Sequence, residues 1–290
     1  MEKFGNCWMV IFALQDVENA TLNDFLENFF EVVCIDYQNE KLQYVGYLSK
    51  PVDEKLLKES AKSWGIVLPE YEQKFLPAEN WLKKNVIKFP PLETEDFYIY
   101  GTHENFIPKN NKHKLMIYAA TAFGSGQHKT TQLCLRLLSY LFHKKEKIVN
   151  ILDMGCGSGI LALSACKIWK NAKALCADID DEAVIVAASN AKNNLLGEQI
   201  HTLQSNAFNN KKIIESAPYQ LIFANILARP LIEMSQELVS CLQEGGYAIL
   251  SGFIDEQLSW VKDEYEKHGL QLIKDLSDEN WHAIFMEKKK

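Results

Sequence analysis

The sequence predicts an α/β protein in which a doubly wound, largely parallel sheet follows a smaller α+β domain. From Thr130 onward, short apolar segments typical of buried strands alternate with longer amphipathic segments of helical periodicity. This alternation is typical of parallel sheets that carry helices on both faces. The first 78 residues instead predict the order strand, helix, strand, strand, helix, strand, which is that of a split-βαβ, ferredoxin-like domain.

Chain length and composition fit an organisation in two domains. The chain has 290 residues, of which 47% are hydrophobic and 24% charged, so it can bury an ordinary globular core. Two domains are expected because a single core rarely grows beyond about 250 to 300 residues. We predict a ferredoxin-like domain at 1–78, a connector at 79–113 that contains Pro90 and Pro91, and a larger domain at 114–290.

Each predicted element follows from its local pattern of apolar residues. In the first domain, strands are predicted at 6–14, 31–38, 41–49 and 66–76, and helices at 21–30 and 52–65. In the larger domain, helices are predicted at 130–145, 158–169, 180–197, 229–242 and 255–269. Strands are predicted there at 148–155, 172–178, 219–225, 245–252, 270–276 and 281–288. Thr130 or its neighbour is expected to cap the helix at 130–145, and a ligand is expected at the carboxyl ends of the strands.

Net charge and cysteine content restrict the classes of function. The formal net charge of −7 argues against binding nucleic acid through charge alone and favours a basic polypeptide partner. The seven cysteines are scattered without a Cys-x-x-Cys pair, so we expect no zinc site and a reducing compartment. The N-terminal apolar run, Cys7 to Leu14, is far shorter than the roughly 20 residues of a membrane helix. We therefore expect a cytoplasmic protein that acts as a monomer and uses no metal.

A glycine-rich turn is the strongest local signal of a binding site. Residues 151–159 read ILDMGCGSG, so a buried strand runs directly into Gly155, Gly157 and Gly159 at the start of a helix. Glycine allows a positive φ and a close approach of the backbone to a ligand. The following strand ends at Asp178, whose carboxylate can accept hydrogen bonds from both hydroxyls of a ribose. The spacing is G-x-G-x-G rather than G-x-G-x-x-G, so the dinucleotide fingerprint is not clearly present.

This combination resembles the S-adenosylmethionine-dependent methyltransferases of the seven-strand class, which have a Rossmann-like sheet. The resemblance implies that the glycine turn passes under the methionine and ribose moieties and that the acid holds the ribose. It also implies that the last two strands form an antiparallel hairpin at the sheet edge. In N-methyltransferases of this class, an Asn after the fourth strand holds the target nitrogen in line with the methyl group. Asn225 in "FANILARPL" matches that Asn, whereas the aromatic residue of the Asn-Pro-Pro-Tyr motif is absent.

The segment "AFGSGQHKTT" at 122–131 extends the resemblance to one family. It is not a phosphate-binding P-loop, because His128 stands where the second glycine of that motif should be. Together with "ILDMGCGSGILA", "DIDDEAV", "ANILARPL" and "GGYAILSGF", it occurs in the order and near the spacing of the PrmA family, the ribosomal protein L11 methyltransferases. The hallmark F-G-T-G-x-H-x-T-T of that family is matched by Phe123 to Thr131, with Ser125 in place of the first Thr. The resemblance covers nearly the whole chain.

Membership of this family implies a cofactor, a substrate and a set of contacts. The cofactor would be S-adenosylmethionine, and the methyl acceptors would be amino groups of ribosomal protein L11: lysine side chains, the N-terminal α-amine, or both. The N-terminal domain would recognise the substrate, and the segment around Phe123 would close over the cofactor as a lid. The implied cofactor contacts are Phe123, Gly124, Thr131, Gly155, Gly157, Asp178 and Asn225.

Asn225 and Thr131 are the predicted catalytic residues. A neutral acceptor such as Asn225 can orient an N–H without stabilising an ammonium as a carboxylate would. We hypothesise that Asn225 positions the amine and that Thr131 helps to shape the transfer site. His128 can act as a base or as a structural hydrogen-bonding residue. Trp281 is predicted to pack in the edge hairpin.

Three other functions are compatible with parts of the sequence. A nicotinamide-dependent oxidoreductase could use the glycine turn and Asp178, but this alternative leaves "AFGSGQHKTT" and "ANILARPL" unexplained. The chain could also be an inactive methyltransferase that serves as a ribosome-assembly partner, although Gly155, Gly157 and Asn225 are intact. Finally, the enzyme could methylate a lysine of a different protein.

Overall fold

A computed structural model describes residues 7–13, 19–30, 32–38, 41–48, 50–76, 89–104, 107–118 and 126–289. The chain divides into two compact units, residues 1–84 and 85–290. The domain boundaries expected at 78 and 113 stay predictions. Within the ranges described, no helix is both long and apolar enough to cross a bilayer.

The first unit has the predicted order of elements. Its strands are β1 (Cys7–Phe12), β2 (Val32–Gln38), β3 (Lys41–Leu48) and β4 (Tyr71–Leu76), and its helices are α1 (Ala20–Phe29) and α2 (Glu54–Ser63). The strands pair antiparallel in the order β2-β3-β1-β4, which is the ferredoxin-like arrangement. Each helix begins at a polar cap, because the side chains of Asn19 and Asp53 accept backbone N–H groups of the first turn. The sheet and helices enclose one apolar core that includes Phe12, Phe25 and Leu57.

The second unit contains a seven-strand sheet among its described residues. The strands are β8 (Asn150–Met154), β9 (Lys173–Asp178), β10 (Ile200–Gln204), β11 (Tyr219–Asn225), β12 (Leu242–Ile254), β13 (Leu270–Asp278) and β14 (Trp281–Lys288). Their order is β10-β9-β8-β11-β12-β14-β13. The first five of these strands are parallel, whereas β14 runs antiparallel to both of its neighbours, β12 and β13, and forms the expected hairpin with β13 at one edge. The chain reverses its direction of winding after β10, so a switch point lies between β8 and β11.

Helices cover both faces of this sheet. They are α3 (Lys129–His143), α4 (Ile160–Ile168), α5 (Asp181–Asn193), α6 (Lys211–Glu215), α7 (Ala228–Glu233), α8 (Ser235–Cys241) and α9 (Asp255–Lys267). Alternate residues of each strand point to opposite layers. Along β11, Leu221 and Phe223 pack in the core with α3 and α4, while Ile222 and Ala224 pack in the core with α7 to α9. These two apolar layers explain why the central strands are nearly continuous hydrophobic runs.

A small three-stranded sheet precedes α3. It consists of β5 (Leu92–Glu93), β6 (Phe97–Gly101) and β7 (His113–Ile117), with β6 and β7 parallel. Helix α5 binds the open side of β7 through two asparagines. Asn194 Oδ1 accepts the Met116 N–H at 3.0 Å, and Asn190 Oδ1 accepts the Tyr118 N–H at 2.8 Å. These side chains take the place of a neighbouring strand and fix the backbone that leads toward α3.

The structure corrects three local predictions. The segment 229–242 was expected to be one helix, but it forms α7 and α8 with a break at Met234, whose ψ of 5° interrupts the helical turn. Helix α3 is capped by His128 rather than by Thr130 or its neighbour. Strand β10 was not predicted, and the small sheet at 92–117 was predicted only in part, because these strands are short and partly polar.

Candidate active site

A cavity of about 740 Å³ opens at the carboxyl ends of β8, β9 and β11. This is where the switch point of a doubly wound sheet places a ligand. Four of the predicted site residues line it: Gly155, Gly157, Asp178 and Asn225. Thr131 lies directly behind this wall, since its neighbours His128 and Thr130 line the cavity. The predicted contacts Phe123 and Gly124 lie outside the described residues.

The glycine turn needs glycine for two different reasons. Gly155 has φ +69°, and a Cβ there would lie 2.3 Å from Ile226 Cγ2, so the close approach of the β11 loop excludes a side chain. Gly157 has φ +52°, and a Cβ there would meet no atom of the described residues within 4 Å. This open space belongs to the cavity. Gly155 thus permits packing within the protein, while Gly157 leaves room for a ligand beside the backbone.

Asp178 is held in place by backbone amides before any ligand binds. Its Oδ2 accepts the Gly157 N–H at 2.8 Å, and its Oδ1 accepts the Asp180 N–H at 3.1 Å. A carboxylate has about four acceptor sites, so roughly two remain available toward the cavity. The side chain can therefore accept hydrogen bonds from a pair of neighbouring hydroxyls.

Asn225 presents an unpaired acceptor at the end of β11. Its Nδ2 donates to Thr131 Oγ1 at 3.3 Å. Its Oδ1 is buried and has no hydrogen-bond partner among the described residues. A buried acceptor without a partner costs about 1 to 3 kcal/mol, so such atoms call for an explanation. Because Asn225 lines the cavity, a bound N–H or O–H donor would supply the missing partner.

His128 connects the start of α3 to the edge hairpin. Its Nδ1 lies 2.8 Å from Thr130 Oγ1 and also caps the helix by accepting the Thr130 N–H at 3.4 Å. Its ring meets the Trp281 ring edge to face, with 4.8 Å between centroids. Trp281 belongs to the edge hairpin as predicted, but it also lines the cavity, which the sequence did not indicate. These contacts link His128 to the first turn of α3 and to the edge hairpin.

A buried acid lies beneath the glycine turn. Asp153 is 1% exposed, and its Oδ2 accepts the N–H of Ala162 in the first turn of α4 at 3.0 Å. Gly159, the cap residue of α4, has no side chain to do this. Burial raises the pKa of Asp153 to about 7, and the charge of Asp178 adds to this rise, while the hydrogen bond from Ala162 opposes it. Asp153 therefore anchors α4 to β8 from behind the cavity wall.

The charged groups that line the cavity are acidic. They are Asp178, Asp180, Glu182, Glu233 and Glu237, and the described lining includes no Lys or Arg. Glu233 forms an ion pair with Arg229 at 2.8 Å on the exposed surface of α7. The negative potential of such a lining attracts cationic groups and disfavours phosphate-rich ligands.

The turn after β10 adds cavity residues that the sequence analysis missed. The lining includes Ser205, Asn206, Ala207, Phe208 and Asn209. A signal for them was present, because a doubly wound fold requires a strand between the helix predicted to end at 197 and the strand predicted at 219. Ile200 and Leu203 are the apolar residues of that five-residue strand, and their spacing of three does not follow the two-residue repeat that would mark a strand.

The fold and the cavity together define the class of the protein. A seven-strand sheet with an antiparallel edge hairpin, and a glycine turn that faces an acid on the next strand, characterise the seven-strand methyltransferases. The family model for "Ribosomal protein L11 methyltransferase (PrmA)" matches residues 11–289. The chain therefore belongs to the PrmA family and is a methyltransferase.

Individual relatives agree with this assignment. The ribosomal protein L11 methyltransferase of Bradyrhizobium diazoefficiens is 34% identical over 211 residues, which are 73% of this chain and 71% of that protein. The corresponding protein of Rhizobium meliloti is 35% identical over 217 residues, which are 75% of this chain and 74% of that protein. The crystal structure of ribosomal protein L11 methylase from Lactobacillus delbrueckii subsp. bulgaricus superposes with a TM-score of 0.62 at 26% identity. It covers 70% of this chain and 100% of that chain.

Proposed function

We propose that the enzyme transfers methyl groups from S-adenosylmethionine to amino groups of ribosomal protein L11. The acceptors would be lysine side chains, the N-terminal α-amine, or both. The observation that carries this proposal is the unpaired Oδ1 of Asn225, because a neutral buried acceptor at the cavity is suited to an amine N–H. The names of the relatives support L11 as the substrate.

The residues around the cavity fit S-adenosylmethionine. The open space beside Gly157 accommodates a ligand close to the backbone, and Asp178 has acceptor sites left for the two ribose hydroxyls. The acidic lining favours a cationic ligand. When bound, S-adenosylmethionine supplies a methyl group on a positively charged sulfur. We propose Gly155, Gly157 and Asp178 as its contacts, together with Phe123, Gly124, Thr131 and Asn225 as the family resemblance implies.

The amine must lose its proton before it can attack. For a lysine with a pKa of about 10.4, this costs about 4.6 kcal/mol at pH 7, and for an α-amine with a pKa near 8 about 1.4 kcal/mol. Burial of the amine in the cavity favours its neutral form. Asn225 Oδ1 can accept one N–H and orient the nitrogen lone pair, while Thr131 Oγ1 holds the Asn225 amide in position. Positioning of this kind can supply most of the rate acceleration.

The N-terminal unit is proposed to recognise the substrate, and we place this ferredoxin-like domain at residues 1–78. Phe75 packs against Trp8 with tilted rings and 5.2 Å between the ring centroids; it is 46% exposed and offers an apolar contact on this unit. If it contacts L11, Phe75→Ser should raise KM for L11 while leaving kcat and cofactor affinity unchanged.

The test of the function uses methyl-labelled S-adenosylmethionine, the purified full-length chain and a mixture of ribosomal proteins. Mass mapping then locates any label. Label on amino groups of L11 supports the proposal, and the labelled positions distinguish lysine from the α-amine. Label on a different protein keeps the chemistry but changes the substrate. Cofactor binding without any transfer would support the inactive assembly partner instead.

A further inference from the structure

The edge hairpin contains a histidine that is held between two carboxylates. His282 is 8% exposed, and its Nε2 lies 2.5 Å from Asp255 Oδ1 while its Nδ1 lies 2.9 Å from Asp275 Oδ1. Asp255 begins α9, Asp275 belongs to β13 and His282 to β14. One imidazole ring therefore joins three elements.

This geometry determines the protonation state of the ring. A neutral imidazole has one N–H donor and one acceptor nitrogen, so one carboxylate would face a lone pair. Only the imidazolium can donate to both carboxylates at once. Burial lowers the pKa of His282, but the hydrogen bonds and charges of Asp275 and Asp255 outweigh it, so the pKa lies above its usual range.

The described residues around His282 add no other charge at its ring. On β12, Ser251 Oγ donates to the His282 carbonyl at 2.6 Å, and this contact is neutral. On the side of α3, Lys129 is paired with Asp278 at 3.2 Å. The carboxylates of Asp255 and Asp275 are the charged groups that act on the ring within the described part of the chain.

The bridge lies next to the wall of the cavity. Trp281 immediately precedes His282, lines the cavity and packs against the ring of His128. His128 in turn caps α3, the helix that carries Thr131. On the other side, Gly252 lines the cavity three residues before Asp255. The bridge thus fixes the segments from which this wall is built.

We propose that His282 is a positioning residue, whose imidazolium bridge to Asp255 and Asp275 holds Trp281 and His128 against the methyl-transfer site. This proposal rests on the proposed function, because its kinetic test measures methyl transfer to L11. The contribution of the bridge is complete below the ordinary pKa of histidine, about 6.5, and is lost as pH rises through the pKa of His282 in the folded protein. Its loss would loosen the wall and lower turnover.

The test compares wild type with His282→Gln from about pH 6 to about pH 10, a range that spans the ordinary pKa values of histidine and of an α-amine. Glutamine can donate to one carboxylate but cannot bridge both. The quantity measured is kcat of wild type divided by kcat of His282→Gln, with L11 as substrate, at each pH. The ionisation of the substrate amine cancels in this ratio. We expect a ratio of about tenfold at low pH that falls toward one at high pH. A constant ratio, or a ratio of one throughout, would overturn the proposal.

Two controls make the result specific. His268→Gln removes a histidine that pairs with Glu264 at the far end of α9, and it should leave the profile of wild type unchanged. Asp255→Asn removes one charge beside the ring, and because the Asp255 side chain is 60% exposed, this variant should still fold. The pH at which the bridge is lost, and kcat falls with it, should therefore be lower in this variant than in wild type. An unmoved transition would contradict the assignment.

A second readout does not depend on activity. The fluorescence of Trp281, obtained as the difference between wild type and Trp281→Phe, should change over the same pH range as the kcat ratio. This change should be absent in His282→Gln. If no methyl transfer to L11 is found, the proposed function fails, while the fluorescence titration still decides whether His282 holds Trp281. A pH-independent difference signal would show that it does not.

Discussion

Asn225 and Thr131 are joined by a hydrogen bond of 3.3 Å from Asn225 Nδ2 to Thr131 Oγ1, although 94 residues separate them in the chain. The bond links the end of β11 to the first turn of α3. It occupies the donor side of the amide, whereas the acceptor, Oδ1, has no partner among the residues that the structure describes. The orientation of the proposed catalytic amide is therefore set by a residue on another element.

Asn225→Ala should lower kcat by about 100-fold, since it removes the group that orients the amine. The affinity for S-adenosylmethionine should change by no more than about threefold, because the other proposed cofactor contacts, Gly155, Gly157 and Asp178, are unchanged. Steady-state kinetics and calorimetric titration measure the two quantities. Unchanged turnover would contradict the role of Asn225.

Thr131→Val should lower kcat by about tenfold, because valine keeps the shape of threonine but cannot accept the Asn225 N–H. Thr131→Ser keeps the hydroxyl and is the matched control, with activity near that of wild type. In the Asn225→Ala background, Thr131→Val should have little further effect, since the two residues act as one unit. Additive losses in the double variant would show that Thr131 acts independently of Asn225.

Substitutions of the glycines should separate folding from ligand binding. Gly155→Ala combines a positive φ with a contact of 2.3 Å to Ile226, so it should lower the free energy of unfolding by about 3 kcal/mol. Gly157→Ala should cost only about 1 kcal/mol but weaken cofactor binding, since its methyl group enters the cavity. Gly197→Ala, with no atom near the added carbon, is the control. Denaturant unfolding and cofactor titration measure both effects.

The buried acid Asp153 should make stability depend on pH. Its pKa is about 7 in the folded protein and near 3.8 when unperturbed, so the protonated form favours folding. This contribution is complete below about pH 4, is lost as pH rises to about 7 and is constant above that. Asp153→Asn stays neutral and keeps an acceptor for the Ala162 N–H. Its Tm relative to wild type should therefore rise between about pH 4 and 7, and a flat difference would refute the assignment.

Much of the fold follows from local pattern because helical and strand periodicities differ. The segment "YQLIFAN" predicts a strand that agrees with β11, and the last two strands form the expected hairpin. Strand β10 was missed because it lies at a sheet edge, where only some of its residues need to be apolar. The break at Met234 was missed because the apolar spacing of helix 229–242 continues through it.

Sequence motifs and the ends of the predicted strands identified only part of the site. The glycine turn, Asp178 and Asn225 were placed at one cavity because the carboxyl ends of parallel strands meet. The unpaired state of Asn225 Oδ1, the capping of α4 by Asp153 and the position of Trp281 depend on contacts distant in sequence. No local pattern encodes such contacts, so these features required the three-dimensional structure.

The hydrogen bonds that the backbone N–H groups of Gly157 and Asp180 donate to Asp178 have a thermodynamic consequence for ligand association. Both carboxylate oxygens are already held, so the side-chain torsions of Asp178 are restricted while the protein folds. Immobilising a side chain on binding costs about 0.5 to 1.5 kcal/mol, and this entropy loss is absent here. A ligand with two neighbouring hydroxyls would lose only its own freedom of motion, as expected for a preorganised receptor.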